Sequence, residues 1–188
     1  MNKREIARYI EYTKLEPTVT KEDIAKLCED ATKLGVYAIC VNPKYVEFAK
    51  ESLSDCSSKV KVVSVVGYPL GENAQEIKAM EAVLLKESGA DEINVMLSTS
   101  AIITGNYDYV LEELKRIVDC TGIITKAIID TSLLTEEQII RTCEVCIEAG
   151  VKFIQTGTGH YAVIPETVKL YWQAHEINLA RYLANVCF

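Results

Sequence analysis

Long apolar runs are missing from this 188-residue sequence. None approaches the ~20 residues that a membrane-spanning helix needs. The amino-terminal stretch MNKREIARYIEYTK is charged almost from its start and has no apolar signal segment. The expected compartment is the cytoplasm, with no membrane partner. Positive charge is also in deficit: 20 Lys and Arg face 27 Asp and Glu, a formal net charge of -7. A nucleic-acid groove needs clustered cations, so no nucleic-acid partner is expected. The ten tyrosines are scattered and do not form an interleaved basic and aromatic surface. Small anionic substrates, which need only a few placed cations, stay open. GxGxxG and Walker loops are absent, as is every other nucleotide fingerprint, and no cofactor is expected. The seven cysteines are an odd number and scattered, which suits reduced thiols better than a disulfide framework. Cys143 and Cys146 lie close together in a helical stretch, but without further ligands they read as core residues, and no metal is expected.

What is present is a repeated unit. ATKLGVYAICV, LLKESGADEINVM and CIEAGVKFIQTGTG each read as a helix end, a glycine and an apolar strand. Gly35, Gly89 and Gly150 fall just past the helices, where a left-handed residue is wanted. KVKVVSVVG and GIITKAIID supply two more strands rich in Val and Ile, and residues 10–15 a further one at the start. The strands are nearly continuous in apolar residues, as strands covered on both faces are. Amphipathic segments follow them, PKYVEFAKESL, AQEIKAMEAVLLKESG, YDYVLEELKRIVDC and TEEQIIRTCEVCIEAG. Strand starts recur roughly every 26–32 residues, the length of a βα unit. Strict alternation predicts a parallel sheet, and a (β/α) barrel before a doubly wound sheet.

Eight such units need on the order of 230 residues. The expectation is therefore an α/β, TIM-barrel-like fold, incomplete, with about six of eight βα units in a single domain over residues 1–188. IPETVKLYWQAHEINLARYLANVCF reads as one long C-terminal helix, with Pro165 in its first turn.

The strand-end motifs, in their order, carry a resemblance. IEYTKLEP is similar to an IDHTLLKP pattern, AICVNP to a Cys-Val-Asn-Pro strand, and VSVVGYPLGENAQEIKAMEA to V-x-G-F-P-x-G with its Lys-x-x-Glu helix. DEINVML, TKAIIDTSLLT and FIQTGTG are similar to DEVDMVI-like, VKVIIETxxLT and FVKTSTG strands. The set, over about residues 6–165, resembles the deoxyribose-phosphate aldolase family. That resemblance implies reversible cleavage of 2-deoxyribose 5-phosphate to glyceraldehyde 3-phosphate and acetaldehyde. It also implies a Schiff-base lysine on strand six, an aspartate on strand four, a second lysine on strand seven, and phosphate loops after strands seven and eight.

Carried over residue by residue, the resemblance puts Gln155 at the Schiff-base position and Asn94 at the aspartate. An amide supplies neither an amine nucleophile nor a proton near neutral pH. Two opposite charges removed together leave no buried survivor unpaired. Glu11 and Asp130 keep the acidity of strands one and five, Cys40 keeps the strand cysteine, and Thr156, Thr158 and Gly159 keep most of the loop, with Thr13 on the wall. Strands seven and eight have no counterpart, an ending that fits adaptation, a frameshift or decay. Lys126 shares period-2 parity with Ile128 and Asp130 and so faces inward. An interior ion pair is its simpler role, and a relocated Schiff base the sharper one. Lys14 has the opposite parity to Glu11, Thr13 and Leu15 and is expected to face outward. His160 is read as an exposed loop residue before a base, and His175 as a surface residue.

The leading expectation is an aldolase-like protein whose aldolase activity is lost or strongly impaired. The alternatives are non-covalent lyase, isomerase or cyclase chemistry in the same pocket, an aldolase working through Lys126, and a protein-interaction role at the open barrel edge. The expected partners are a small molecule, with sugar phosphates the class the resemblance implies, and further copies of the chain in a homo-oligomer. The C-terminal helix is expected in that homo-oligomer interface.

Overall fold

The computed structural model describes residues 2–56 and 58–159. The expected C-terminal helix, His160 and His175 lie outside the described residues. Six parallel strands, Glu11–Lys14 (β1), Ala38–Val41 (β2), Lys61–Val66 (β3), Glu92–Met96 (β4), Ile124–Ile128 (β5) and Phe153–Gln155 (β6), form one sheet in sequence order. Among the described residues each strand pairs with its sequence neighbours, for example Thr13 with Cys40, Val65 with Asn94, and Ile128 with Gln155. The sheet curls into a half-barrel, with helices on its convex side.

Those helices are Lys21–Leu34 (α2), Val46–Asp55 (α3), Gln75–Glu87 (α4), Tyr107–Thr121 (α6) and Glu136–Glu148 (α7). Two five-residue helices, Lys3–Ala7 (α1) and Thr99–Ile103 (α5), complete the set among the described residues. Helix starts are fixed by side chains that satisfy the first free N–H groups. Thr20 with Asp23 and Thr135 with Gln138 form capping boxes at α2 and α7. Gly35, Gly89 and Gly150 follow α2, α4 and α7 with φ of +66°, +100° and +83°, as their positions implied.

Alternation along the strands separates two cores. Ile39, Val41, Val62, Ile93, Val95 and Ala127 face the helices in one continuous cluster. Ala38, Cys40, Val63 and Val65 face the concave side in a second, smaller one. Lys14 points away from that interior, half-exposed and 4.0 Å from Glu16. Cys143 and Cys146 lie on the buried face of α7, and desolvation pushes the Cys146 thiol far above its ordinary pKa. One charged pair is sealed in the helix layer: Lys78 on α4 lies 2.8 Å from both carboxylate oxygens of Glu113 on α6, with both side chains fully buried. Burial lowers the pKa of Lys78 and raises that of Glu113.

Candidate active site

The polar groups of the concave face come from alternate positions of four strands. Lys126, midway along β5, reaches across the interior to β1, with its Nζ 2.5 Å from Glu11 Oε2. The same Nζ lies 2.9 Å from Glu92 Oε2 on β4, a charge contact without an aligned hydrogen bond. Lys126, Glu11 and Glu92 are all fully buried. Burial alone depresses the Lys126 pKa, but Glu11 and Glu92 outweigh it and hold the ammonium above its ordinary value. Such an amine is protonated at neutral pH and is a poor carbonyl nucleophile.

Glu92 is also held from the N-terminal end of the strands. Tyr37, just before β2, donates its hydroxyl to the carboxylate, and Lys61 Nζ lies 3.0 Å away. Burial raises the Glu92 pKa, but Lys126, Tyr37 and Lys61 together bring it below the usual value. Lys61 stacks 5.2 Å from the Tyr37 ring centre. These three residues were not singled out from the sequence. The signal for Glu92 was there, since it shares period-2 parity with Asn94 in DEINVM.

Asn94 stands opposite Lys126 in the register. Its Nδ2 donates to Glu11 Oε1 at 2.5 Å and approaches Cys40 Sγ at 3.7 Å. The orientation follows from chemistry, because turning the amide would set its oxygen against the carboxylate. The Asn94 Oδ1 is buried and accepts no hydrogen bond among the described residues. Cys40 is fully buried, and desolvation followed by the Glu11 charge pushes its thiol well up. It is a thiol at neutral pH.

Toward the C-terminal strand ends, Gln155 closes β6 and is buried; its carbonyl accepts from Ile129 N at 2.9 Å. The loop beyond it is tied to the turn after β5: Thr131 N donates to Thr156 O at 2.9 Å, and Thr158 donates to Asp130 Oδ1 through N at 2.9 Å and Oγ1 at 3.3 Å. Gly159 follows, exposed, with φ +85°. From the opposite side, Tyr68 donates its hydroxyl to Thr158 O at 3.0 Å and so links the loops after β3 and β6 across the mouth. Beneath that link lies a cavity of about 740 Å³, with Thr13, Leu15, Asn42, Tyr68 and Thr158 in its walls. Another open cavity, of about 680 Å³ and lined by Ile103, Tyr107 and Arg141, lies outside the strand ends. No cluster of three or more His, Cys, Asp or Glu able to hold a metal occurs among the described residues. Among these residues, too, no helix is long and apolar enough to cross a membrane.

The structure thus gathers Glu11, Cys40, Asn94 and Lys126 into one network, with Gln155 at the end of β6. Asp130, Thr156, Thr158 and Gly159 are set at the mouth, and Thr13 on the cavity wall. The family model of the DeoC/LacD aldolases matches residues 7–176. The chain belongs to that family. It is 46% identical over 162 residues to the deoxyribose-phosphate aldolase of Thermococcus kodakarensis, covering 85% of this chain and 72% of that one. With the Caldicellulosiruptor saccharolyticus enzyme of the same name the identity is 45% over 163 residues, or 85% and 73% of the two chains. Among solved structures, an aldolase named QR15 superposes with a TM-score of 0.84 at 38% identity, over 90% of this chain and 76% of that one. The deoxyribose phosphate aldolase of Aeropyrum pernix, described as tetrameric, gives a TM-score of 0.83 at 28% identity, over 92% and 74%. The half-barrel is therefore the DeoC/LacD aldolase fold over the described residues.

Proposed function

We propose that this DeoC/LacD-family chain is deoxyribose-phosphate aldolase-like in fold and pocket but does not perform the covalent aldolase step. The observation that carries the reading is the state of Lys126, the fully buried lysine of β5 on the concave side. Lys126 is fully buried, contacts two carboxylates and has a raised pKa. The residue at the end of β6, where the resemblance calls for the Schiff-base lysine, is Gln155, whose amide cannot attack a carbonyl. Asn94, in place of the family aspartate, neutralises the same interior and serves Glu11 as a donor.

Attack on an aldehyde requires a deprotonated amine that reaches the carbonyl carbon, followed by loss of water to the imine. Lys126 meets neither condition. Borohydride reduction of the full chain with deoxyribose 5-phosphate or acetaldehyde should leave no stoichiometric lysine adduct by intact mass. An adduct mapping to Lys126 would sink the reading and establish the relocated lysine. Gln155→Lys alone should not restore family-level turnover, because Asn94 would still leave that amine without its acidic neighbour. We extend an oligomeric state to the chain by analogy with the tetrameric Aeropyrum pernix relative. Sedimentation of the full chain as a monomer would refute that extension.

A further inference from the structure

The cavity at the barrel mouth has a composition of its own, which a lost Schiff base does not dictate. Leu15, Pro17, Val19, Pro43 and Pro69 give it a largely apolar wall. At about 740 Å³ it falls in the range of small-ligand sites, which pair apolar walls with a few placed polar groups. Two charged residues of opposite sign, Glu16 and Lys44, line it, so their charges offset each other in the wall. Glu16 lies 4.0 Å from Lys14, and the Lys44 ammonium sits 4.7 Å from the Tyr45 ring centre.

The hydrogen-bonding groups in the wall are biased toward accepting. Thr13 donates its hydroxyl proton to Glu11 O at 3.2 Å, which leaves its oxygen as an acceptor toward the cavity. Tyr68 commits its proton to Thr158 O at 3.0 Å. Asn42 uses one amide N–H on Leu15 O at 3.2 Å, and its amide keeps a second N–H beside a carbonyl acceptor. A phosphate ester, which brings acceptors and two negative charges, would meet few donors here and, among the described residues of the wall, one cation, Lys44, offset by Glu16. A hydroxyl group with an apolar face fits both the wall and the acceptors.

We propose that the mouth cavity is a non-covalent site for an uncharged hydroxyl compound with an apolar face, held by Leu15, Val19 and Pro69 and hydrogen-bonded to Thr13. The site is that of the proposed function, and the inference rests on that reading, since a bound alcohol needs no imine. It differs in ligand class from the sugar phosphate implied by the resemblance.

The test is a matched pair of probes on the full chain, benzyl alcohol and benzyl phosphate, titrated by amide and methyl NMR. Benzyl alcohol should shift Leu15, Val19 and Thr158 signals and bind at least about tenfold more tightly than benzyl phosphate. Its affinity should not change with added salt, because no ion pair is involved. Thr13→Val, close to isosteric, should weaken it by about three- to tenfold, the worth of one hydrogen bond. Leu15→Asp should abolish it, with the amide spectrum reporting that the fold persists. Preference for benzyl phosphate, binding of neither probe, or indifference to Thr13→Val would overturn the proposal. Phosphate preference with no borohydride adduct would defeat this inference alone, whereas a trapped adduct would defeat the non-covalent reading beneath it.

Discussion

At the scale of single residues, the Asn94 amide suits its carboxylate neighbour. Its Nδ2 lies 2.5 Å from a Glu11 oxygen, so an aspartate there would set two carboxylates in contact. Like charges at that separation keep a proton between them. Asn94→Asp is therefore expected to destabilise the fold by about 3 kcal/mol near neutral pH, in the range for an uncompensated buried charge. Its aspartate would have a pKa raised above the unfolded value, so the variant should recover stability as pH falls and lose it as pH rises. Adding Gln155→Lys restores a cation to the same interior, and the double variant should be more stable than the two single losses summed, by about 1 kcal/mol. Urea unfolding of the four proteins checks this, and strict additivity would show that the two positions did not lose their charges as a pair. The opposite parities of Lys126 and Lys14 were legible in the sequence, because strands repeat every two residues. The second carboxylate on Lys126 was overlooked, and the Tyr68 link could not have been found. It joins residues 90 apart, and no local pattern encodes that.

At the scale of elements, all six strands were legible, since runs such as KVKVVSVVG are too short and too β-branched for buried helices. The short helices α1 and α5 were not. Five residues cannot show a 3.6-residue period, and α5 depends on tertiary partners. Ser98 caps it, while Glu72 from the loop after β3 accepts from Ser98 Oγ at 3.0 Å, Ser100 N at 3.0 Å and Ser100 Oγ at 2.6 Å. Desolvation opposes ionisation of Glu72, but these donors prevail and its pKa is lowered. That contribution is present above the unfolded carboxylate pKa and fades as pH falls through the folded one. The same loop requires Gly71: a Cβ there would lie 2.0 Å from Leu97 O, and its φ is +75°. Gly71→Ala should cost about 3 kcal/mol or more, since backbone must move. Gly35→Ala, at φ +66° with nothing within 4 Å of the added Cβ, should cost about 1–2 kcal/mol from the left-handed conformation alone. Equal losses in thermal unfolding would mean that the Gly71 contact relaxes more easily than the geometry implies.

At the scale of the whole molecule, the Lys126 network ties the first strand to the fifth across the concave side, where no backbone ladder joins β1 to β6 among the described residues. The network therefore helps to hold the curl of the sheet. Lys126→Met keeps much of the side-chain volume but leaves Glu11 and Glu92 buried without their shared cation. The expected loss near neutral pH is about 3–5 kcal/mol, as for other buried pairs broken on one side. In the parent, Glu92 has a lowered pKa, so its contribution is present above the unfolded carboxylate pKa and is lost as pH falls through the folded value. In the variant, Glu92 keeps Tyr37 and Lys61 but loses Lys126, the strongest of the effects that lower its pKa. Its pKa rises, and protonation relieves the unpaired charge. The stability gap between parent and variant should then be widest near neutral pH and should narrow as pH falls through the carboxylate range. Urea denaturation across that range measures the gap directly. A gap that stays constant with pH would assign the loss to packing around the methionine and leave the ion pair without a part in holding the curl.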